Sequence, residues 1–364
     1  MKVDRKPSNK EFTSVLHLTD IHQVLREING KDEYDQYRKE WKQASDLNYV
    51  PPYPLQLDFE LNYSCNFSCP MCTWATEVSS QKGKKTWFSF EVFKEIVDDG
   101  VRKGLKAINF SFINEPLIRK DIVKYISYAK KAGILDTYFS TNGSLLTEDI
   151  ASSLVDSGLD RIQISLDAFT QETFDQIRIG GNLEDIKNNI NKFLEIRRKK
   201  NKVVPLLRVN FVKQANNIHE LNDFIEYWSS KADGIGVQNL IGIMNANNEH
   251  MVDDKTIDFK CAQPFYHMTI RYDGTMLPCC SFFGAETPVA KVKTSKPDQL
   301  SEVENLAFKK SNEAQLLIQS IEEAWNGKQM NFFRDLHKKG EYWKHPVCNE
   351  CVLKSSHADE TMEL

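Results

Sequence analysis

Eight residues, CNFSCPMC from Cys65 to Cys72, decide how this chain is interpreted. They hold Cys65, Cys69 and Cys72 in a C-x3-C-x2-C spacing, directly after an apolar run at 54–61 that is typical of a strand. Three cysteines this close cannot all pair as disulfides, whereas their thiolates can converge on one metal centre. Iron–sulfur clusters normally take four thiolates, so a triad leaves one iron open for a substrate or cofactor. The alternatives are a zinc site without its fourth ligand and three buried cysteines that lie together by chance.

The composition limits the class of protein. With 364 residues and 41% hydrophobic residues, the chain is large enough for one α/β domain and a smaller appendage. A formal net charge of −4 argues against general nucleic-acid binding, which requires a basic excess. The first residues carry no apolar signal core, and no apolar stretch is long enough to span a bilayer, so we expect a cytoplasmic enzyme without a membrane partner. The eight cysteines fit that compartment as metal ligands or reduced thiols.

Residues 1–53 are predicted to form a helical extension. Tyr34, Tyr37 and Trp41 recur at i, i+3 and i+7, so they share one helix face. We expect this face to pack on the domain that follows, and the alternative is that it covers a substrate. The segment looks too short for a winged-helix peptide-recognition domain, which weakens the case for a peptide substrate.

Strand and helix signals alternate from residue 54 to residue 245. Strands are predicted at 55–61, 107–112, 137–142, 161–167, 206–212 and 234–240. Helices are predicted at 88–103, 120–132, 148–156, 183–199 and 219–231. This alternation implies parallel strands with right-handed crossovers, so the predicted fold class is α/β.

Several of these strands carry polar residues at every second position. The sets are Asn109 with Ser111; Gln163 with Ser165 and Asp167; and Arg208 with Asn210. Because a strand alternates its side chains between two faces, each set points one way. If that way is the inside of a barrel, the barrel is lined for a polar ligand. The alternative is that these positions face solvent or hydrogen bonds between helices.

The cysteine spacing after a first strand resembles the radical S-adenosylmethionine (radical SAM) superfamily. In that family three such cysteines hold a [4Fe–4S] cluster, and SAM chelates the fourth iron. Reduction then cleaves SAM to a 5′-deoxyadenosyl radical, which abstracts a hydrogen atom. The resemblance implies a partial (β/α)6 barrel, similar to a TIM barrel, over residues 54–245. It also implies an electron donor such as flavodoxin or ferredoxin.

The resemblance further assigns SAM contacts at the carboxyl ends of the strands, where such folds keep their chemistry. FINEP at 112–116 is similar to the family's Gly-Gly-Glu-Pro segment with both glycines replaced; STNG at 140–143 is similar to its Thr-Asn-Gly turn; and SLDA at 165–168 is similar to its Ser-x-Asp-Gly pattern with a downstream arginine. Met71 stands where the family usually has an aromatic residue, and its thioether can pack on adenine. The implied cofactor-binding residues are Met71, Asn114, Glu115, Asn142, Ser165, Asp167, Arg178 and Leu240.

Five more cysteines lie in the third predicted domain, residues 246–364: Cys261, Cys279, Cys280, Cys348 and Cys351. Two alternating runs around Asp273-Gly274 predict a hairpin between the first two of them. Helical stretches at 316–326 and 330–338 precede the terminal C-x2-C pair. Four thiolates can meet here, either at a structural zinc ion or at an iron–sulfur cluster.

This arrangement resembles the SPASM/twitch extension of radical SAM enzymes, in the twitch form with a single auxiliary [4Fe–4S] cluster. The implied ligands are Cys261, Cys279, Cys348 and Cys351, which leaves Cys280 spare. Cys279 and Cys280 can exchange these roles as far as the sequence shows.

The expected function is hydrogen-atom abstraction from a polar small molecule such as a sugar or cyclitol. In twitch-bearing relatives the auxiliary cluster commonly accepts the remaining electron, so a two-electron oxidation is the leading hypothesis. Two alternatives stay open: a peptide-modifying enzyme, and an epimerase in which Cys280 donates a hydrogen atom. A zinc-binding scaffold without catalysis is the hypothesis from a different class.

Overall fold

A computed structural model describes residues 13–72, 87–240, 259–281, 287–300 and 316–356. Within them, eleven strands form one sheet in the order β1-β7-β6-β5-β4-β3-β2-β8-β9-β10-β11. The strands are β1 (Thr13–His17), β2 (Gln56–Phe59), β3 (Ala107–Asn109), β4 (Asp136–Thr141), β5 (Arg161–Ser165), β6 (Leu206–Lys213), β7 (Gly234–Asn239), β8 (His267–Ile270), β9 (Thr275–Leu277), β10 (Ala290–Val292) and β11 (Ile318–Gln319). The pairs from β2 to β7 are all parallel, as the alternating sequence predicts.

The helices that connect the parallel strands bury apolar side chains in the core on one face of this sheet, whereas the N-terminal helices pack at its amino end. The helices are α1 (Ile21–Asn29), α2 (Lys31–Ser45), α3 (Phe90–Lys103), α4 (Ile122–Ala132), α5 (Glu148–Asp156), α6 (Gln171–Ile177), α7 (Leu183–Lys199), α8 (Leu221–Ser229), α9 (Gln263–Tyr266), α10 (Ile321–Trp325), α11 (Lys328–Lys338) and α12 (Pro346–Ser356). The predicted helices 148–156 and 183–199 match α5 and α7 at both ends. None of the helices in the described part of the chain is long and apolar enough to cross a membrane.

Local chemistry sets where these elements begin and end. The Ser89 side chain accepts a hydrogen bond from Val92 N–H and caps the start of α3. Gly104 follows α3 with φ +110°, a left-handed conformation that suits glycine at a helix end. The strand predicted at 107–112 ends early because the Asn109 side chain bonds both the N–H and the C=O of Ser111, which turns the chain.

The N-terminal segment is not purely helical. Its strand β1, which was not predicted, pairs antiparallel with β7, from Thr13 opposite Gln238 to His17 opposite Gly234. Tyr34 and Tyr37 on α2 are buried, and they form one apolar cluster with residues at the amino ends of the barrel strands, including Leu55 and Leu206. The aromatic face of α2 therefore packs under the barrel at its amino end.

The C-terminal hairpin continues the barrel sheet. Strand β8 pairs in parallel with β2, and β9 returns antiparallel to β8. The predicted boundary between residues 245 and 246 lies outside the described residues. The barrel and the hairpin thus share one sheet, with β2 as the common strand.

The helix predicted at 316–326 is wrong in its first part. Ile318–Gln319 form strand β11, and α10 begins only at Ile321. Ser320 and Glu323 exchange side-chain to backbone hydrogen bonds in a capping box, which fixes the helix start after the strand.

Candidate cluster and cofactor sites

Polar side chains line the face of the sheet opposite the helices. Ile108, Ile162 and Val209 are fully buried in the apolar core, so the alternating positions Gln163 and Arg208 point the other way. Those two residues are directly opposite in the ladder, and Arg208 donates a hydrogen bond to Gln163. The predicted polar lining therefore faces the barrel interior.

Other members of this lining come from neighbouring strands. They are Asp58, Asn109, Tyr138, Ser140, Ser165 and Asn210. Tyr138, Ser140 and Ser165 remain partly exposed. On β7 the interior positions include Gly236, where an added Cβ would lie 2.4 Å from Asn210 Oδ1. The glycine leaves room for Asn210 to reach into the barrel.

The loop from Cys65 to Cys72 is held in place by hydrogen bonds to the adjacent segments. Asn62 donates to Ser64 O at 3.2 Å and to Glu115 O at 3.2 Å, and it accepts from Asn114 Nδ2 at 2.9 Å. These bonds join the cysteine loop to the Asn114-Glu115 segment after β3. The sequence analysis missed Asn62.

The three thiols of this loop fit a cationic centre. Cys69 is buried and Cys65 and Cys72 are half-buried, and none of the eight cysteines, all within the described ranges, forms a disulfide. Burial, together with the charges of Glu115, Cys69 and Cys72, raises the pKa of Cys65 to about 12. Thiolates this close repel one another, so they ionise together only when a metal centre compensates them. Among the described residues, no three His, Cys, Asp or Glu side chains surround a site for a single metal ion.

Arg178 brings a positive charge to the same loop. Its guanidinium donates to Asp167 and approaches Cys69 Sγ at 3.8 Å. Its Nε is buried and has no hydrogen-bond partner among the described residues, which suits it to bind an oxygen-rich ligand. Gly181, three residues after Arg178, packs closely against Phe67. A Cβ atom added at Gly181 would lie 2.3 Å from the Phe67 ring. This close packing fixes Arg178 beside the cysteines.

The side chain of Glu115 is fully engaged by protein groups. It accepts from Thr141 Oγ1 at 2.6 Å, Asn142 N–H at 2.8 Å and Leu117 N–H at 3.0 Å. Burial raises its pKa, and these hydrogen bonds oppose that shift. Glu115 therefore ties the turn after β4 to the segment after β3, and its backbone is the part left to contact a cofactor.

The remaining predicted cofactor residues differ in how accessible they are. Asn142 donates to Asn66 Oδ1 at 2.9 Å, which connects it to the cysteine loop. Asp167 is fully buried, with φ +60°, and it accepts from Val212 N–H at 2.8 Å as well as from Arg178. Its side chain therefore positions Arg178. Met71 is half-buried beside the core, and Leu240 follows β7 directly.

The C-terminal cysteines come together although they are far apart in sequence. Cys261 precedes α9, Cys279 follows β9, and Cys348 and Cys351 lie on α12. Burial raises the pKa of Cys279 well above its ordinary value, and the charges of Cys261, Cys351 and Cys348 raise it further. Cys261 and Cys348 pack against one apolar cluster, and Cys351 Sγ lies 3.6 Å from Ser281 Oγ, two residues after Cys279. Four thiolates are the donor set that a second cluster needs.

Cys280 has a different environment. It is the exposed member of the eight cysteines. Protein still surrounds it closely enough that burial raises the pKa of its thiol, followed by the charges of Asp58, Cys279 and Cys351. Burial raises the pKa of Tyr138 in the barrel lining, and the charges of Asp58 and Cys280 add smaller contributions. Thr269 of β8, opposite Asp58 in the sheet, donates to the C=O of the adjacent Cys279 at 3.0 Å, so this segment lies where the second cysteine group meets the barrel.

Three histidines lie near the two sites. His337 and His345 lie beside the second cysteine group, where their Nδ1 atoms accept hydrogen bonds from the backbone N–H groups of Cys261 and Cys348, both at 3.4 Å. His267 lies in the barrel, with Nε2 at 3.2 Å from Asp58 Oδ2. The alternating Gln56, Asp58 and Glu60 in the first strand carried this signal, and the sequence analysis did not use it.

Two family models match the chain. The radical SAM superfamily matches residues 59–211, and an iron–sulfur cluster-binding domain, SPASM, matches residues 261–352. The first range contains the Cys65 to Cys72 loop, and the second contains the C-terminal cysteines.

Individual relatives cover the chain to different extents. A probable GTP 3′,8-cyclase of Methanococcus maripaludis is 34% identical over 163 residues, which are 45% of this chain and 51% of the relative. The chain thus matches about half the length of this relative. The tungsten-containing aldehyde ferredoxin oxidoreductase cofactor-modifying protein of Pyrococcus furiosus is 24% identical and covers 82% of this chain and 88% of its own.

A solved structure shares the fold. BtrN in complex with AdoMet and 2-DOIA superposes with a TM-score of 0.50 and 15% identity, covering 82% of this chain and 92% of BtrN. The partial barrel with a C-terminal extension is therefore an architecture that this chain shares with a protein that binds AdoMet.

Proposed function

Because the chain belongs to the radical SAM superfamily and carries a SPASM iron–sulfur domain, we propose that it oxidises a polar small molecule held inside the barrel. The class of enzyme and its cofactors, SAM and [4Fe–4S] clusters, follow from the family. The substrate and the reaction are the proposal.

The observation that carries the proposal is the polar barrel interior. Its partly exposed positions supply hydroxyl and guanidinium groups, among them Tyr138, Ser140, Ser165 and Arg208. An apolar substrate would displace water from these groups without replacing its hydrogen bonds, which costs free energy for each one. A substrate rich in hydroxyl or amino groups, such as a sugar or cyclitol, would satisfy them.

The proposed ligands divide the cysteines into two sets. Cys65, Cys69 and Cys72 would hold the first cluster and leave one iron for SAM, and Cys261, Cys279, Cys348 and Cys351 would hold the second. When bound, these groups supply a 5′-deoxyadenosyl radical that removes a hydrogen atom from the substrate, and an acceptor for the electron that remains. Arg178, Asn114, Asn142 and Ser165 would orient SAM at the carboxyl ends of the strands.

The interior also needs a group that takes the hydroxyl proton during such an oxidation. Asp58 is placed for this purpose, since it lines the barrel near Cys280. Gln56 Nε2 donates to one of its oxygens at 2.7 Å, and His267 Nε2 lies 3.2 Å from the other. These two neighbours hold the carboxylate in one orientation.

The experiment is a substrate panel under anaerobic reduction with SAM. Aminocyclitols, sugars, GTP and candidate peptides are each supplied with deuterium at the reacting carbon, and 5′-deoxyadenosine is analysed for deuterium. We expect transfer from a polyhydroxylated small molecule together with a carbonyl product. Tight binding of a leader peptide, with transfer only from the peptide, would overturn the small-molecule assignment.

Epimerisation is the second candidate, because Cys280 is exposed and directly follows Cys279, whose C=O accepts a hydrogen bond from Thr269 of the barrel sheet. In that reaction the thiol returns a hydrogen atom to the substrate radical from the opposite face. A product of unchanged mass with inverted configuration, which disappears in Cys280→Ala, would favour it.

An electron donor such as flavodoxin or ferredoxin and a cytoplasmic location complete the proposal.

A zinc-binding scaffold remains the hypothesis from a different class. The iron–sulfur description of the matched C-terminal domain argues against it. Zinc without iron or sulfide after anaerobic purification would restore it.

A further inference from the structure

The seam between β2 and β8 joins the two cysteine regions. β2 leads into the Cys65 to Cys72 loop, and β8 belongs to the hairpin that ends at Cys279. The strands are in parallel register from Gln56 opposite His267 to Phe59 opposite Ile270. The hairpin thus lies beside the strand that carries the first cysteine loop.

An ion pair lies at the carboxyl ends of these two strands. Arg271 Nε donates to Glu60 Oε2 at 2.8 Å, and the side chains are 1% and 0% exposed. The Arg271 guanidinium also lies 4.8 Å from the ring centroid of Tyr63 and 5.7 Å from that of Phe112. Arg271 therefore contacts residues on both segments that flank the first cluster site, the one before Cys65 and the one before Asn114.

An aromatic stack adds a second contact between the hairpin and the loop. The Tyr63 and Tyr272 rings lie 4.8 Å apart with an interplanar angle of 10°. Cys65, Cys72 and Ile113 pack against this pair. Tyr272, which belongs to the hairpin, thus forms part of the wall behind two cysteines of the first loop.

The energetics indicate a role in geometry rather than in general stability. A fully buried ion pair loses hydration that its attraction barely offsets, so it is a weak stabiliser of the fold. It does, however, permit one arrangement of its partners, because any other leaves a buried charge uncompensated. The same seam has a second pair, Asp58 with His267, further from the cysteine loop.

We propose that Arg271 and Tyr272 of the C-terminal hairpin are positioning residues for the Cys65 to Cys72 loop, so that the first cluster and SAM are held correctly only when the hairpin is docked. The inference rests on the proposed function in that it takes Cys65, Cys69 and Cys72 as cluster ligands. It makes the SPASM domain a structural component of the SAM site, in addition to holding its own cluster.

The test compares four variants of the full-length reconstituted protein. Tyr272→Ala removes the stack, and Tyr272→Phe keeps it as the conservative rescue. The double variant Glu60→Gln with Arg271→Gln removes the ion pair without leaving a lone buried charge. Asp136→Asn with Arg161→Gln is the matched control, because it removes another ion pair of the same barrel, at the amino ends of β4 and β5.

The readouts are the SAM dissociation constant, the change in the electron paramagnetic resonance spectrum on SAM addition, and the rate at which a ferrous chelator removes iron. We expect Tyr272→Ala and the Glu60/Arg271 double variant to weaken SAM binding and to speed loss of the first four irons by about tenfold, the size of one lost aromatic or charge-assisted contact. Tyr272→Phe and the Asp136/Arg161 control should stay close to the unmodified protein in both respects.

Two results would overturn the inference. One is unchanged SAM affinity and unchanged iron release in both test variants. The other is an equal acceleration in the Asp136/Arg161 control, which would indicate general destabilisation of the barrel. Iron release does not require SAM cleavage, so the rate of iron release tests the inference even if the proposed activity fails.

Discussion

The two cysteine regions use the same side-chain chemistry but are assembled over very different distances along the chain. Cys65, Cys69 and Cys72 lie within eight residues, so their spacing alone indicates a shared centre. Cys261, Cys279 and the Cys348/Cys351 pair are joined by a hairpin and two helices, and only the fold brings them together. A local motif therefore identifies the first site, whereas the second depends on the docking of whole elements.

The largest expected difference between the regions is in catalysis. Cys72→Ala should abolish SAM cleavage and remove about four irons per chain, the content of one cluster. Anaerobic iron analysis and chromatography of 5′-deoxyadenosine measure both effects. Cys280→Ser is the control and should keep the full iron content. A Cys72→Ala protein that still cleaves SAM would show that the first cysteine region is not the site of SAM cleavage.

Cys279→Ser and Cys280→Ser divide the adjacent cysteines of the second region. We expect Cys279→Ser to lose about four irons while the first cluster still cleaves SAM, because Cys279 neighbours the other C-terminal thiols. Cys280→Ser should retain the iron, since Cys280 is the exposed member of the adjacent pair. Iron and sulfide counts on the two variants provide the comparison, and the reverse pattern would exchange the two assignments.

Arg178 tests the electrostatics of the first region. Arg178→Gln removes the charge beside Cys69 and Asp167. We expect SAM binding to weaken by about tenfold, since a charge-assisted hydrogen bond is worth roughly 1.5–3 kcal/mol. Equilibrium dialysis with labelled SAM measures it. Arg178→Lys keeps the charge and should lose less, and equal losses in the two variants would point to shape rather than charge.

Gly236 tests the interior that lies between the two regions. In Gly236→Ala the new Cβ would displace Asn210, so the substrate KM should rise severalfold while SAM affinity stays unchanged. Steady-state kinetics and SAM dialysis separate the two effects. Gly104→Ala controls for general destabilisation, because the left-handed φ of +110° strains any side chain at this helix end, which is not part of the barrel lining. A change in SAM affinity alone would place this position in the cofactor site.

The smallest expected effect concerns Glu60, which links the regions through Arg271. Burial raises its pKa to about 6, with Arg271 opposing the shift. Folding thus favours the protonated form, and the unfolding free energy falls as the pH rises from the ordinary value near 4.5 through about 6. Infrared titration should show a carboxyl band with a midpoint near 6 that is absent in Glu60→Gln. A midpoint at or below the ordinary value would show that the ion pair outweighs burial.

Much of the barrel could be predicted because its signals are local. Helix caps, strand alternation and the polar positions such as Gln163 and Arg208 all depend on neighbours in sequence. The early end of β3 at Asn109 was missed because a side chain bonds its own backbone, and β1 was missed because it pairs with a strand more than 200 residues away.

The site was predicted less completely for the same reason. The sequence identified the cysteines and the segment containing Glu115, but it did not show that Glu115 and Asp167 are consumed by neighbouring protein groups. Nor did it identify Asn62 or the Glu60–Arg271 pair, because these contacts join segments brought together by the sheet. Register between distant strands is not encoded in the spacing of any one motif.

The central claim is that three early thiols leave an iron site vacant for SAM. Its most direct test is to reconstitute the protein anaerobically, count irons and sulfides, reduce it strongly and follow SAM. We predict about eight irons per chain, the content of two four-iron clusters, and conversion of SAM to 5′-deoxyadenosine. A protein with all three thiols intact that holds iron but leaves SAM uncleaved would contradict the account.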